Sequence, residues 1–205
     1  MENDFENELK EPAPKYNYIS PDEYVAMERA SEEKHEYYDG LVVPIRGVTA
    51  RSGAGLRHNR IARNLYTEIG NYLKGKECEL LPSDMRVSTP NRDAYMYPDV
   101  TIVCGEPQLQ DDKFDTLINP SVVFEIWSPS SQYHDKGYKL LHYKDIHSLK
   151  EYVMIDTIKR FVEVMRKEPS GAWRFEDVKG PSANLYIQTI GLIVSFDDLY
   201  NKTGL

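Results

Sequence analysis

The chain has 205 residues, 40% of them hydrophobic and 28% charged, and a formal net charge of −8. This length and composition suit an ordinary globular protein with one full-sized core, with or without extensions. The acidic balance excludes a protein that coats nucleic acid through bulk electrostatics, though not a local basic groove, and no apolar run approaches the length that crosses a bilayer.

Residues 1–15, MENDFENELKEPAPK, are acidic and proline-containing and lack the apolar core of a signal peptide. They are expected to be a disordered extension, with 16–205 forming a single domain. Ser20-Pro21-Asp22-Glu23 then reads as a helix start. Ser20 can cap, Pro21 suits the first helical position and Glu23 completes a capping box, so a short helix should run to about Ala30. In EYYDGLVVPI, Asp39-Gly40 separates two β-prone runs and predicts a hairpin. The Gly-rich RSGAGLRHN is expected to be a mobile loop. From about His58 to Leu73, Ile61, Leu65 and Ile69 recur every four residues, which predicts an amphipathic helix. Arg46, Arg51, Arg57, Arg60 and Arg63 gather here in a stretch without Asp or Glu. Taken alone, the cluster reads as a solvated helix face.

ECELL, MRVST and DVTIVC follow as strands, then a polar loop GEPQLQDDKFDTLINP and the apolar run VVFEIW. A second helix is expected from about His134 to Lys144. EYVMID, RFVEVMR and WRFEDV read as strands, and SFDDLY as a closing helical turn capped by Ser195. Helices interleaved with strands in this order suit an α/β core, a mixed sheet covered by helices. The two cysteines, Cys78 and Cys104, show neither metal-ligand nor redox spacing. A reduced, cytoplasmic setting is therefore expected, with Cys104 packed as a core residue.

Three acid-bearing features stand out. Asp99, after Tyr97-Pro98, sits at the mouth of a buried strand; a turn residue is its ordinary alternative. Glu125 lies inside VVFEIW, on the face of Val123 and Trp127 by period-two alternation. A buried ionised carboxylate is costly unless paired or bound to a metal, so a positive partner is expected. Asp135, Lys139 and Tyr143 fall at four-residue steps on one helix face, where a surface ion pair is the ordinary reading. Together, two strand carboxylates and a nearby lysine form the layout of metal-dependent phosphodiester hydrolysis. Mg²⁺ takes only one or two carboxylates and fills its shell with waters and phosphate oxygens. It polarises the phosphoryl group and lowers the pKa of a bound water, while a lysine orients the hydroxide or offsets developing charge.

MYPDVTIV, VVFEIWSPS and DKGYKLLHYKDIHSLKEYVMID, in this order, resemble the Uma-type restriction-endonuclease family of the PD-(D/E)xK nuclease superfamily. The likeness extends from KHEYYDG through RHNRIARNLYTEI and LLPSDMRV to TIGLIVSF. It implies a restriction-endonuclease-like core and a Mg²⁺-dependent endonuclease (Mn²⁺ being a second candidate) that acts on DNA rather than RNA, leaving a 5′-phosphate and a 3′-hydroxyl. Asp99 and Glu125 become the metal ligands. The superfamily lysine, two residues after the glutamate, is replaced by Trp127, so the resemblance assigns the role to Lys139, with Lys136 as fallback.

The resemblance also implies that Glu36 approaches the metal or holds a water, against the alternative of an exposed cross-strand charge. His58 would contact phosphate or cap the site, or merely start its helix. Asp135 would orient Lys139 or begin the helix, and Tyr143 would pack rather than react. Arg57, Arg60 and Arg63 would contact phosphates, which position a duplex without reading bases. Ser128-Pro129-Ser130 would shape the entrance. Two-strand cleavage needs two active sites, so a homodimer is expected. The competing expectation, which the acidic charge and the absent strand lysine favour, is an inactive nuclease-fold module that binds nucleic acid or protein.

Overall fold

The computed structural model describes residues 18–45, 55–127, 135–180 and 182–205, and of Asp135 and Lys136 the backbone only. The extension at 1–15, the first four residues of RSGAGLRHN, and Ser128-Pro129-Ser130 lie outside the described residues, as do Arg46, Arg51 and His134, while the rest of RSGAGLRHN, expected as loop, caps and starts a helix.

Helix α1 spans Pro21–Ala30 and starts with the expected capping box: Ser20 Oγ accepts the Glu23 amide at 3.3 Å and Glu23 Oε2 accepts the Ser20 amide at 2.7 Å. Strands β1 (His35–Tyr38) and β2 (Leu41–Pro44) form the hairpin. Asp39 and Gly40 both take positive φ, 48° and 92°, as a two-residue primed turn requires. Helix α2, Leu56–Leu73, buries Ile61, Leu65, Ile69 and Leu73 on one stripe.

Strands β3 (Cys78–Pro82), β4 (Arg86–Ser88), β5 (Ala94–Met96), β6 (Val100–Cys104), β7 (Thr116–Leu117) and β8 (Val122–Trp127) come next. A π-helical turn, Asp135–Lys139, runs into helix α3, Leu140–Asp145. Then come β9 (Glu151–Asp156), β10 (Phe161–Lys167), β11 (Trp173–Lys179), β12 (Asn184–Ile187), β13 (Leu192–Ser195) and helix α4, Phe196–Leu199, with Ser195 Oγ accepting the Asp198 amide.

A six-stranded mixed sheet runs β11-β10-β9-β8-β6-β3, and a five-stranded sheet β2-β1-β5-β4-β7. In the larger sheet only β8 and β9 are parallel. Parallel neighbours need a crossover, and the π-turn and α3 supply it. Val122, Phe124 and Ile126 of β8 face one core with α2, β12–β13 and α4. Val123 and Trp127 face a second core, shared with Tyr143 and Ile146 around the crossover and with Tyr38, Val87 and Met96 of the smaller sheet. Glu125 belongs to this second face. The layers are therefore helix α2, large sheet, then crossover helix and small sheet, which is the expected α/β class with a mixed sheet flanked by helices.

Four expectations are corrected. The stretch expected as a plain loop between β6 and β8 contains β7, which pairs in parallel with β4 and places Thr116 opposite Arg86. The second helix begins as a π-turn rather than as regular α-helix. Lys139 and Tyr143, expected on one face, nonetheless both reach Glu125. Strands β5, β12 and β13 are additional to the expected ones, β5 forming only where β1 and β4 flank it and β12 and β13 pairing with each other. Cys78 and Cys104, with no telling spacing in the chain, stand opposite each other on β3 and β6 and form a disulfide. Among the described residues no helix is long and apolar enough to cross a membrane.

Candidate active site

Strand β6 meets β8 antiparallel, with Val100 opposite Phe124. One step further along this register puts Asp99 opposite Glu125, and directly opposed residues share a face of the sheet. The Asp99 carboxylate confirms the approach: Oδ2 accepts the Ile126 amide at 2.7 Å. Oδ1 lies 3.1 Å from His58 Nε2, at the start of α2. The backbone carbonyl of Asp99 is held as well, by the Tyr66 hydroxyl at 2.7 Å. The turn residue after Pro98 is thus fixed at the strand mouth by α2 from one side and β8 from the other.

Glu125 is only 4% exposed. The positive partner that its burial demands is Lys139, whose Nζ stands 3.0 Å from Glu125 Oε1. Lys139 is itself buried, and its Nζ is 2.9 Å from Glu36 Oε1. One ammonium thus serves two carboxylates that are remote from each other in the chain. Glu36 is buried, so the reading of an exposed cross-strand charge is corrected. Tyr97 N–H donates to Glu36 Oε1 at 3.1 Å and Tyr38 Oη–H to Oε2 at 2.9 Å. Tyr143 Oη–H donates to Glu125 Oε1 at 3.1 Å, so it packs and hydrogen-bonds at once.

These phenols stay protonated. Burial, and then the Glu36 carboxylate, hold Tyr38 well above the usual tyrosine value. Burial, and then Glu125, do the same for Tyr143. Both are therefore fixed donors, and neither serves as a base near neutral pH.

The fold thus forms two groups, Asp99 with His58 and Glu125 with Lys139, Glu36 and Tyr143, linked where Asp99 accepts the amide of Ile126, the neighbour of Glu125. It leaves the arginines at the rim. Arg57 Nε donates to the Thr203 carbonyl at 3.3 Å, Arg60 Nη1 to the Lys202 carbonyl at 2.6 Å, and Arg63 Nη2 to Asn64 Oδ1 at 2.8 Å. The Arg57 and Arg60 bonds tie α2 to the C-terminal turn, whose Leu199 and Asn201 carbonyls Asn64 Nδ2 also reaches, whereas the Arg63 bond stays within α2. The side chains of Asp135 and Lys136 lie outside the described residues. Sequence reasoning missed Tyr38 and the Tyr97 amide. The first had a signal: Tyr38 stands two residues after Glu36 on one strand, and hence on its face.

Among the described residues, no group of three or more His, Cys, Asp or Glu side chains is arranged to enclose a metal. One step beyond the paired β6–β8 residues, Asp99 and Glu125 are the opposed carboxylates, and Asp99, Glu125 and Glu36 outnumber the one lysine among them. Mg²⁺ suits such a set because it needs only one or two carboxylates beside water and phosphate.

The family model described as "Putative restriction endonuclease", Uma2, matches residues 21–195. Two uncharacterized proteins of Synechocystis sp. are similar over most of the chain. One is 30% identical over 189 residues, covering 92% of this chain and 95% of that protein; the other is 31% identical over 163 residues, covering 80% and 89%. Among solved structures, a protein from Anabaena variabilis described as "a putative nuclease belonging to DUF820" superposes with a TM-score of 0.71 at 21% identity, covering 90% of this chain and 99% of that one. That likeness speaks for the fold.

Proposed function

The chain belongs to the Uma2 family of restriction-endonuclease type, and from that premise we propose that it is a Mg²⁺-dependent endonuclease that hydrolyses DNA in preference to RNA. One observation carries the reading: Lys139 Nζ lies 3.0 Å from Glu125 Oε1, although the superfamily position for the lysine holds Trp127. The crossover helix restores from another element what the strand lacks.

Asp99 and Glu125 would hold the metal, Mg²⁺ or Mn²⁺, which when bound supplies a Lewis acid for the phosphoryl oxygen and lowers the pKa of a coordinated water. Lys139 orients the attacking oxygen and offsets the charge that builds on the phosphate in the transition state. Glu36 holds the ammonium in place, and the Tyr38 hydroxyl and Tyr97 amide in turn hold Glu36. Tyr143 does the same for Glu125. His58 orients Asp99. Arg63 is exposed, and Arg57 and Arg60 each keep guanidinium donors beyond those given to the C-terminal carbonyls. All three can take phosphates along α2, whose N-cap, Gly55, makes no side-chain cap hydrogen bond and whose N-terminal dipole favours anions.

The test is incubation of the protein with plasmid, linear and single-stranded DNA and with RNA, each with Mg²⁺, Mn²⁺ or chelator, beside Lys139→Ala. Metal-dependent DNA cleavage that disappears in the variant supports the reading. Equal cleavage by Lys139→Ala refutes it. The second reading, an inactive nuclease-fold scaffold, is favoured by the lack of an enclosing metal cluster among the described residues. It predicts no heat of Mg²⁺ or Mn²⁺ binding, and no difference on Asp99→Ala.

A further inference from the structure

A strand at the edge of a sheet presents unpaired amides and carbonyls, and proteins blunt such edges with proline, with very short strands or with bulges. Three of the four edges of the two large sheets follow that rule. Strand β2 ends in Pro44, β3 ends in Pro82, and β7 is 2 residues long. The fourth edge, β11, differs. It runs 7 residues without proline and pairs with β10 in unbroken register along its whole length. It also exposes Phe175, with 61% of the residue's surface open to solvent.

Which partner fits this edge follows from its charges. A two-fold axis normal to the sheet pairs β11 antiparallel with its own copy and keeps opposed residues on one face. Three registers of this kind pair five or more residues of each β11: those centred on Phe175, Glu176 and Asp177. The second sets Glu176 against Glu176, and the third sets Asp177 against Asp177. Like charges directly opposite are destabilising. The first sets Phe175 against Phe175 at the axis and Arg174 against Glu176 on both sides, with Trp173 opposite Asp177. Arg174 is exposed and only loosely engaged, its guanidinium 3.6 Å from Glu168 and 3.6 Å from Glu176 within its own chain.

We propose that β11 is the homodimer interface: two chains pair antiparallel through Trp173–Asp177, centred on Phe175, and join their six-stranded sheets into one. The exposed Phe175 ring, which Lys144 Nζ approaches at 5.4 Å, gains an aromatic neighbour, and each outward Arg174 gains the partner's Glu176, a carboxylate that Arg166 of its own chain also holds. Nothing in this pairing requires the neighbouring site to cleave anything, so the interface and the activity fail or stand separately.

The test is sedimentation equilibrium of the full chain with three variants, each checked by circular dichroism for an unchanged fold. Wild type is expected to be dimeric and Arg174→Glu, which puts four carboxylates around the axis, monomeric. Phe175→Cys is expected to form a reducible covalent dimer on mild oxidation, because directly opposed antiparallel residues bring Cα atoms within disulfide reach. Arg174→Cys, offset from the axis, should not. A monomeric wild type, an Arg174→Glu variant as dimeric as wild type, or Phe175→Cys that cross-links no better than Arg174→Cys would each overturn the proposal.

Discussion

Lys139 Nζ stands 2.9 Å from Glu36 Oε1, so the hairpin of the small sheet and the crossover helix of the large one meet through two buried, oppositely charged side chains. Removing one member of a buried ion pair costs about 3–5 kcal/mol, because the other is left in a poor medium. Lys139→Met should therefore lower the unfolding free energy by roughly that amount. Combined with Glu36→Gln, the loss should be smaller than the sum of the two single losses. Urea denaturation of the four proteins measures the coupling, and strict additivity would dissociate Glu36 from Lys139.

Asp99→Asn keeps an oxygen for the Ile126 amide but removes the charge. It is expected to keep the melting temperature within a few degrees while cleavage falls to background. His58→Ala removes the Nε2 contact to Asp99 Oδ1. Loss of a group that orients a metal ligand typically costs about 10- to 100-fold, so cleavage should drop by that much rather than vanish. Initial rates on plasmid at saturating Mg²⁺ check both.

Tyr143→Phe deletes the donor to Glu125 Oε1 and should cost about 1–3 kcal/mol, the price of under-satisfying a buried acceptor. Burial and Glu125 hold this phenol far above its ordinary value, so the tyrosine should not ionise in the folded protein. The pH profile of cleavage should therefore keep its shape in the variant. An alkaline limb that vanished with Tyr143→Phe would show that the phenol titrates.

Asp115 offers a pH test away from the site. The hydrogen bond from Arg29 is the main cause that holds its pKa at about 2, against 3.8 ordinarily, with help from Thr116 and the nearby Arg86. A depressed carboxylate pKa stabilises the fold above the unfolded value and loses that contribution as pH falls through the folded one. Stability should thus decline from about pH 4 toward pH 2, and Arg29→Ala should flatten that slope. The Asp115 side chain is 35% exposed, so solvent screening keeps the effect small. Thermal melts across this range compare the two proteins.

If Arg57, Arg60 and Arg63 contact phosphates, each alanine variant should reduce the slope of log affinity against log salt by about 1, uniformly across sequences. Arg57 and Arg60 also hold the C-terminal carbonyls, so their variants should melt lower as well, while Arg63→Ala should not. Fluorescence anisotropy on a labelled duplex with Ca²⁺ in place of Mg²⁺ reads the slope.

Much of this was legible from residue order because it is local. The Ser20–Glu23 capping box, the Asp39-Gly40 turn and the fourfold spacing of Ile61, Leu65 and Ile69 each satisfy nearby backbone groups or bury one stripe, whatever the rest of the chain does. Alternation along VVFEIW likewise fixed the face of Glu125. The unread elements were those that neighbours create: β7 exists because β4 lies beside it, and the Cys78–Cys104 pair because β3 and β6 align in that register.

The sequence by itself determined which residues carry charge into apolar surroundings, and hence that Glu125 needs a cation. Only the tertiary structure decided which one. The parallel β8–β9 pairing obliges the chain to cross back over the sheet, which lays the crossover helix on the Glu125 face and brings Lys139 to it. The small sheet closes over that face and adds Glu36, because a carboxylate buried beside an ammonium costs less than one buried alone.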